Sequence, residues 1–223
     1  MTGIINTDPK GKPPKLRRIV MVSDTHDKYG ELTQMPKGDI LLMAGDLTFH
    51  GRPDELGRLN EWLDRQDYNH KVLIPGNHDL TFESMWDVAH RLVPAADAIL
   101  NQEMYDADGL KIWGEPRQPW FYDWAFNVPR DRMKTEVWDK VPDNIDVLLT
   151  HGPPWGAGDI CRSGHVGCVA QRDYILEKRP RLVVCGHIHS GAGMYILGNT
   201  TVVNASVVDE EYHVVRRPVV IDM

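Results

Sequence analysis

Five short polar motifs each close an apolar run of this chain: Asp24-Thr25-His26 after residues 16–23, Gly45-Asp46 after 40–44, Gly76-Asn77-His78-Asp79 after 71–74, Thr150-His151-Gly152 after 145–149, and Gly186-His187-Ile188-His189 after 182–185. The runs are rich in Val, Ile and Leu and too short for core helices, so they read as buried strands. Between the second and third, residues 53–66 carry Leu56, Leu59, Trp62 and Leu63 at helical spacing, with Pro53 at a permitted first-turn position. Strand, loop, helix, strand predicts a parallel or mixed sheet flanked by helices. Ligand sites in such sheets collect at the carboxyl ends of the strands. Five loops far apart in sequence are therefore expected to converge at one edge.

What converges is a donor set. Asp24, His26, Asp46, Asn77, His151, His187 and His189 offer three oxygen donors and four imidazoles. Two adjacent metal ions need about that many ligands if one carboxylate bridges and positions stay open for water and substrate. Mixed nitrogen and oxygen coordination suits manganese foremost, with iron, zinc, cobalt or nickel as alternatives, better than calcium or magnesium. The spacings Asp-x-His and His-x-His put both side chains on one side of an extended segment. Taken singly, each motif has a plain reading. Asp46 suits a helix N-cap, His151 a hydrogen-bonded loop, and Gly76-Asn77 a turn. Their ordered conjunction after strands is what points to a two-metal site, and hence to in-line displacement at phosphorus.

Composition narrows the partners. A formal net charge of -7 argues against a sequence-independent binder of polymeric nucleic acid. It leaves a small phosphate ester open, because bound cations reverse the local charge. The three cysteines, Cys161, Cys168 and Cys185, form no CxxC pair, so neither a disulfide framework nor a thiolate zinc site is expected. Residues 1–15 lack the apolar run of a signal peptide, and no apolar segment approaches the roughly 20 residues of a membrane span. The expectation is a cytoplasmic protein without membrane contact: a flexible lead-in over 1–14 and a single domain over 15–223. The oligomeric state stays open.

Elsewhere the signals are weaker. Residues 98–100 and 110–113 read as short strands of a second sheet, 133–138 and 167–178 as helices, and 194–197, 200–204 and 218–221 as a β-rich tail. Trp120, Phe121, Trp124 and Phe126 either wall a pocket that stacks a base or belong to the core of the second sheet. Arg117 and Arg130 either meet phosphate or are solvated and paired. Pro153-Pro154-Trp155 is placed to shape a pocket rim. His50 and His165 read as loop histidines, and His70, His90 and His213 as structural.

The motifs D-x-H, G-D, G-N-H-D, a histidine before glycine, and G-H-x-H resemble the signature of the calcineurin-like metallophosphoesterase superfamily over Asp24 to His189. The stretches GDILLMAGDLTFHG, IPGNHDLTF and IDVLLTHGPPWG, with the late Val203-Asn204-Ala205-Ser206, are similar to its MPPED (metallophosphoesterase-domain-containing) group. The resemblance implies a four-layer α/β/β/α sandwich of two mixed sheets flanked by helices, with the dimetal site at one edge. It implies that Asp24, His26, Asp46 and His189 hold the first metal. Asp46, Asn77, His151 and His187 would hold the second, with Asp46 bridging. His78 would contact substrate as an acid, oriented by Asp79. Asn77, His78, Arg117, Trp120 and Trp124 are the candidate substrate-binding residues. Some vertebrate members of the group carry glycine where this chain has His187, so the complete set here implies the more active form. The implied activity is a phosphodiesterase acting on small diesters, 2′,3′- or 3′,5′-cyclic nucleotides, by attack of a metal-bridging hydroxide. The alternatives are a phosphomonoesterase or protein phosphatase of the same fold, or a metal-binding scaffold with weak turnover.

Overall fold

Alternation along the first strand decides the layering. In Arg18–Val22, Ile19 and Met21 face one way and Val20 and Val22 the other, and all four are fully buried. A strand buried on both faces needs a packed layer on each side. The computed structural model, which describes residues 16–223, supplies both. The lead-in expected over 1–14 lies outside the described residues.

Five strands form one sheet in the order Val219–Asp222, Arg18–Val22, Ile40–Ala44, His70–Ile74, Ala98–Ile99. All its pairings are parallel except that of Val219–Asp222 with Arg18–Val22. Six strands form the other, in the order Gly193–Leu197, Thr200–Asn204, Leu182–Cys185, Val147–Thr150, Leu110–Glu115, Glu103–Ala107. Its four central strands are parallel and both edges antiparallel.

Three cores separate four layers. Between the sheets, Ile19, Met21, Leu42 and Ile74 pack with Ile112, Leu149, Val184 and Val203. Outside the first sheet, Val20, Leu41 and Met43 pack under Leu56, Leu59 and Leu63 of helix Pro53–Asp64 and Phe82 of helix Leu80–Ser84. Outside the second, Leu148 and Val183 pack with Trp138 and with Tyr174 and Ile175 of helix Val169–Lys178. The fold is thus an α/β/β/α sandwich of two mixed sheets.

Helix Pro53–Asp64 starts where it does for a local reason. Pro53 sets φ at the first turn, and the Glu55 carboxylate accepts the backbone N–H groups of Arg52 and His50 at 2.8 and 3.0 Å. No helix among the described residues is long and apolar enough to cross a membrane. The three cysteines are free thiols, with Cys168 and Cys185 buried.

Several elements differ from expectation. Ala98–Ile99 pairs with His70–Ile74, so it belongs to the first sheet rather than the second. The tail strand Val219–Asp222 also joins the first sheet. Strand Glu103–Ala107 escapes a hydrophobic reading because it is an edge with Glu103, Met104 and Asp106 exposed. Helices Leu80–Ser84 and Trp86–Leu92 are too short, at 5 and 7 residues, for an apolar period to show.

Candidate metal centre

The five motifs leave the carboxyl ends of five parallel strands, three in one sheet and two in the other, and meet where the sheets abut. The junction is stitched by backbone: Ser23 N–H donates to Ala205 O at 2.9 Å and Val207 N–H to Ser23 O at 3.1 Å. Space at this junction excludes a Cβ at three motif glycines, Gly45, Gly76 and Gly186. A Cβ at Gly186 would collide with Ser23 Oγ and Asp24 Oδ2, and one at Gly76 with the Asp46 backbone nitrogen and carboxylate. The donors themselves are strained. Asp24, His26, Asp46 and His187 have φ of 55, 42, 51 and 66°. Left-handed backbone at non-glycine residues costs about 1 kcal/mol each and concentrates at functional sites.

Two donor groups result. In the first, ligand atoms of Asp24, His26 and His189 lie within 4.8 Å of one another. His26 Nε2 is 3.3 Å from His189 Nε2, which is 3.5 Å from Asp24 Oδ1. In the second, Asp46, His151 and His187 meet the same 4.8 Å limit. His151 Nε2 is 2.8 Å from Asn77 Oδ1 and 3.3 Å from Asp46 Oδ1. Asp46 touches both groups, because its Oδ2 is 3.8 Å from His26 Nε2. A third overlapping trio, His26, Asp46 and His78, also falls within 4.8 Å.

Tautomers are set from behind. His189 Nδ1 faces Asp209 O at 2.9 Å and His151 Nδ1 faces Ala44 O at 2.8 Å. Each Nδ1–H donates to its carbonyl, which turns Nε2 toward the donor group as a metal ligand requires. The His26 ring has a buried Nδ1 without a partner among the described residues. Four imidazoles, two carboxylates and an amide oxygen facing one another fit divalent transition-metal ions.

The electrostatics agree with that donor set. Burial alone would raise the Asp24 and Asp46 carboxyls, but nearby histidines outweigh it: His189 foremost for Asp24, His151 foremost for Asp46, which is held well below the usual range. Burial pushes His26 down to about 4 and His187 down to about 3, the latter helped by the charge on His151. His151 goes the other way. Burial would lower it, but the Asp46 carboxylate lifts it to about 9.

Two expected roles are redistributed. Asp79 is fully buried and makes no hydrogen bond to His78. Its carboxylate accepts from Leu47 N, Thr48 N, Thr48 Oγ1 and Gly76 N at 3.1, 2.9, 2.6 and 2.8 Å. It therefore clamps the Asp46 loop to the Gly76 loop. Burial and the Asp46 charge still lift its carboxyl to about 6, against those four donors. His78 is oriented instead by Phe49 O, 2.9 Å from its Nδ1, and by its own backbone N–H, which donates to Asp46 Oδ1 at 2.8 Å.

Arg117 is the second correction. Its guanidinium binds Glu115 Oε1 at 3.0 Å and Asn101 Oδ1 at 2.9 Å, away from the donor groups. Glu115 is a fully buried carboxylate, and the arginine is committed to neutralising it. Arg130 is likewise engaged, donating to the carbonyls of Val166 and Gly167.

The tryptophan-rich stretch divides. Phe126 is core, packed in the cluster outside the first sheet rather than in the second sheet. Trp124 lies on the His78 ring, centroids 4.2 Å apart at 30°. Trp120 and Phe121 are 56% and 43% exposed and line a cleft of about 390 Å³ with Arg130, Pro153, His187 and His189. Phe121 stands edge-on to His187 at 5.2 Å. Trp155, following Pro153 and Pro154, instead carries Arg172 over its ring at 5.1 Å.

Three neighbours of the site receive no role from the motifs, although Phe49 and Asn204 lie in stretches that resemble the family. Asn204 is buried, and its Nδ2 donates to Gly158 O, Gly186 O and Ile188 O at 2.8, 3.3 and 2.9 Å. It thus braces the loop that carries His187 and His189. The other two are Phe49 and Tyr212, whose rings crowd His26. Asn204 has a sequence signal, ending an apolar run as the motifs do. Tyr212 has none.

Comparison with known proteins adds to the geometry. The profile of the calcineurin-like phosphoesterase family matches residues 17–191. Metallophosphoesterase domain-containing protein 1 of Homo sapiens is 41% identical over 237 residues, covering 95% of this chain and 72% of the human protein. A UPF0046 protein of Caenorhabditis elegans is 32% identical, over 97% of this chain and 62% of its own length. A solved structure from Thermus thermophilus has a TM-score of 0.60 at 14% identity, covering 85% of this chain and 89% of that one, a likeness of fold alone.

Proposed function

Because the chain belongs to the calcineurin-like phosphoesterase family, we propose that it is a metal-dependent phosphodiesterase of small diesters, cyclic nucleotides foremost. The observation that carries this reading is the pair of donor groups sharing Asp46 beside a cleft of about 390 Å³. Asp24, His26, Asp46 and His189 would hold one divalent ion, and Asp46, Asn77, His151 and His187 the other. Two such ions supply charge neutralisation at phosphorus and a water made acidic enough to ionise near neutral pH.

The chain's own residues do the rest. With Nδ1 committed to Phe49 O, His78 presents Nε2 to a phosphoryl or leaving oxygen. Trp124 keeps that ring from rotating away. Asp79 and Asn204 hold the two halves of the donor set in register from behind. Trp120 and Phe121 offer aromatic faces to a base in the cleft. A cleft of this size suits a mononucleotide rather than a polymer.

Purified chain assayed with manganese, and again with chelator, should hydrolyse the diester methyl p-nitrophenyl phosphate faster than the monoester p-nitrophenyl phosphate. It should also turn over a 2′,3′- or 3′,5′-cyclic nucleotide. A preference for the monoester would make it a phosphomonoesterase. Full metal occupancy with no turnover of any ester would make it a scaffold.

A further inference from the structure

The turn at residues 209–213 lies beyond the residues matched by the family profile, 17–191, yet it reaches the donor groups. Its stem is rooted in the core. Val207 and Val208 are fully buried, Val208 bridges Val214, and the N–H groups of Val215 and Arg216 both donate to Val207 O at 3.0 Å. Its tip is tied by one residue. The Asp209 carboxylate accepts from Glu211 N at 3.0 Å and His213 N at 2.8 Å, while its carbonyl accepts from Tyr212 N at 3.2 Å and from the His189 ring at 2.9 Å.

This tie forces Tyr212 into left-handed backbone, φ 63°, where a glycine would sit without strain. The strain buys a placement. The Tyr212 ring stands edge-on to His26 at 4.8 Å and to His189 at 5.5 Å, and packs on Phe49 at 5.2 Å. It is only partly buried, and its hydroxyl has no hydrogen-bond partner among the described residues. Tyr212 and Phe49 therefore wall the site on the side of Asp24, His26 and His189. The cleft runs past His187 and His189, between Trp120, Phe121 and Pro153, and neither Tyr212 nor Phe49 lines it. Glu210 of the same turn does line it.

We propose that Tyr212 is a specificity-determining residue that closes one side of the site, so that a phosphodiester is admitted only when its organic bulk fits on the cleft side. A cyclic diester, or a linear one with a small second group, meets that condition. A linear diester with two large groups does not, because its second group collides with the Tyr212–Phe49 wall. The inference rests on the phosphoester reading above and adds a size limit on the second ester group.

The test compares methyl p-nitrophenyl phosphate with bis-p-nitrophenyl phosphate, which share a leaving group and differ in the second substituent. In Tyr212→Gly, which suits the left-handed backbone, kcat/KM for the bis ester relative to the methyl ester should rise about tenfold. Tyr212→Phe keeps the ring and should keep the ratio. The same comparison is made by calorimetry with methyl phenyl phosphate and diphenyl phosphate on manganese-loaded protein, where the Kd ratio should shift likewise. Manganese stoichiometry and thermal melting establish that each variant is folded and loaded. An unchanged ratio in folded, loaded Tyr212→Gly overturns the inference alone. Failure of the wild type to bind or turn over any of the four esters overturns both the inference and the reading beneath it.

Discussion

His151 and Asp46 form a charged pair sealed from solvent, Nε2 to Oδ1 at 3.3 Å, at the point where the second donor group converges. Burial opposes charge on either partner, yet the pair holds His151 up to about 9 and Asp46 well below the usual carboxylate range. A proton and a divalent cation thus compete for one position.

The consequence is a pH dependence with opposite signs for two observables. In protein stripped of metal, the raised His151 contributes stability that is full below its unfolded value of about 6.5 and is lost as pH rises through about 9. Metal binding must displace that proton. Affinity for manganese should therefore climb with pH, about tenfold per unit for each proton displaced, until His151 is neutral. His26 and His187, pushed down to about 4 and about 3, are already neutral at pH 7 and add no slope. Competition titrations and thermal melts across the same pH series check both signs. A manganese Kd independent of pH would rule out this competition.

A second prediction concerns Asn204. One carboxamide nitrogen holds three carbonyls, two of them in the His187–His189 loop. Asn204→Leu keeps the volume and leaves buried Gly158 O without a donor among the described residues, while Gly186 O and Ile188 O keep only the backbone N–H groups of Ile188 and Gly191, at a cost of about 1–3 kcal/mol. Residues supporting metal ligands this way change metal affinity by about 10–100-fold. Urea unfolding and manganese titration should both show the loss. A variant that lost stability with unchanged metal affinity would show that the loop needs no brace.

Asn204 also shows what the sequence makes legible. The apolar runs mark the strands because a strand buried on both faces has no polar position to dilute the pattern, as in Ile40–Ala44 and Leu182–Cys185. Motif residues are legible because they follow those runs directly. Sheet membership is not, since Val219–Asp222 finds its partner some 200 residues earlier in the chain. Nor are the roles of Asp79 and Arg117. A carboxylate beside a histidine in sequence need not point at it, and an arginine between prolines carries no sign of the Glu115 it neutralises. Tyr212 is invisible for a related reason: what places it is the hydrogen bonding of Asp209, not a pattern of residue types.

The third prediction follows from Arg117. Its removal leaves the Glu115 carboxylate buried, with Gln102 as its remaining side-chain donor. Stranding a buried charge costs about 3–5 kcal/mol. Because the Arg117 side chain is 27% exposed, water can partly replace it, and the lower end of that range is expected. Arg117→Met should lower the melting temperature and leave KM for small esters unchanged. A large rise in KM at unchanged stability would restore a substrate-contacting role.

The last prediction separates Asp79 from His78, neighbours in sequence with different work in space. All four donors on the Asp79 carboxylate come from the Asp46 and Gly76 loops. Asp79→Asn turns one acceptor into a donor facing N–H groups, so the Asp46 loop should relax and manganese affinity should fall by about 10–100-fold. His78→Ala leaves the clamp intact. It should retain metal and lose turnover, more for alkyl leaving groups that need a proton than for p-nitrophenolate, which does not. Manganese titration of both variants, with kcat on an alkyl and an aryl diester, gives a two-by-two result. If Asp79→Asn kept its metal and copied the leaving-group dependence of His78→Ala, the two residues would act as one acid, and the clamp read from the geometry would be wrong.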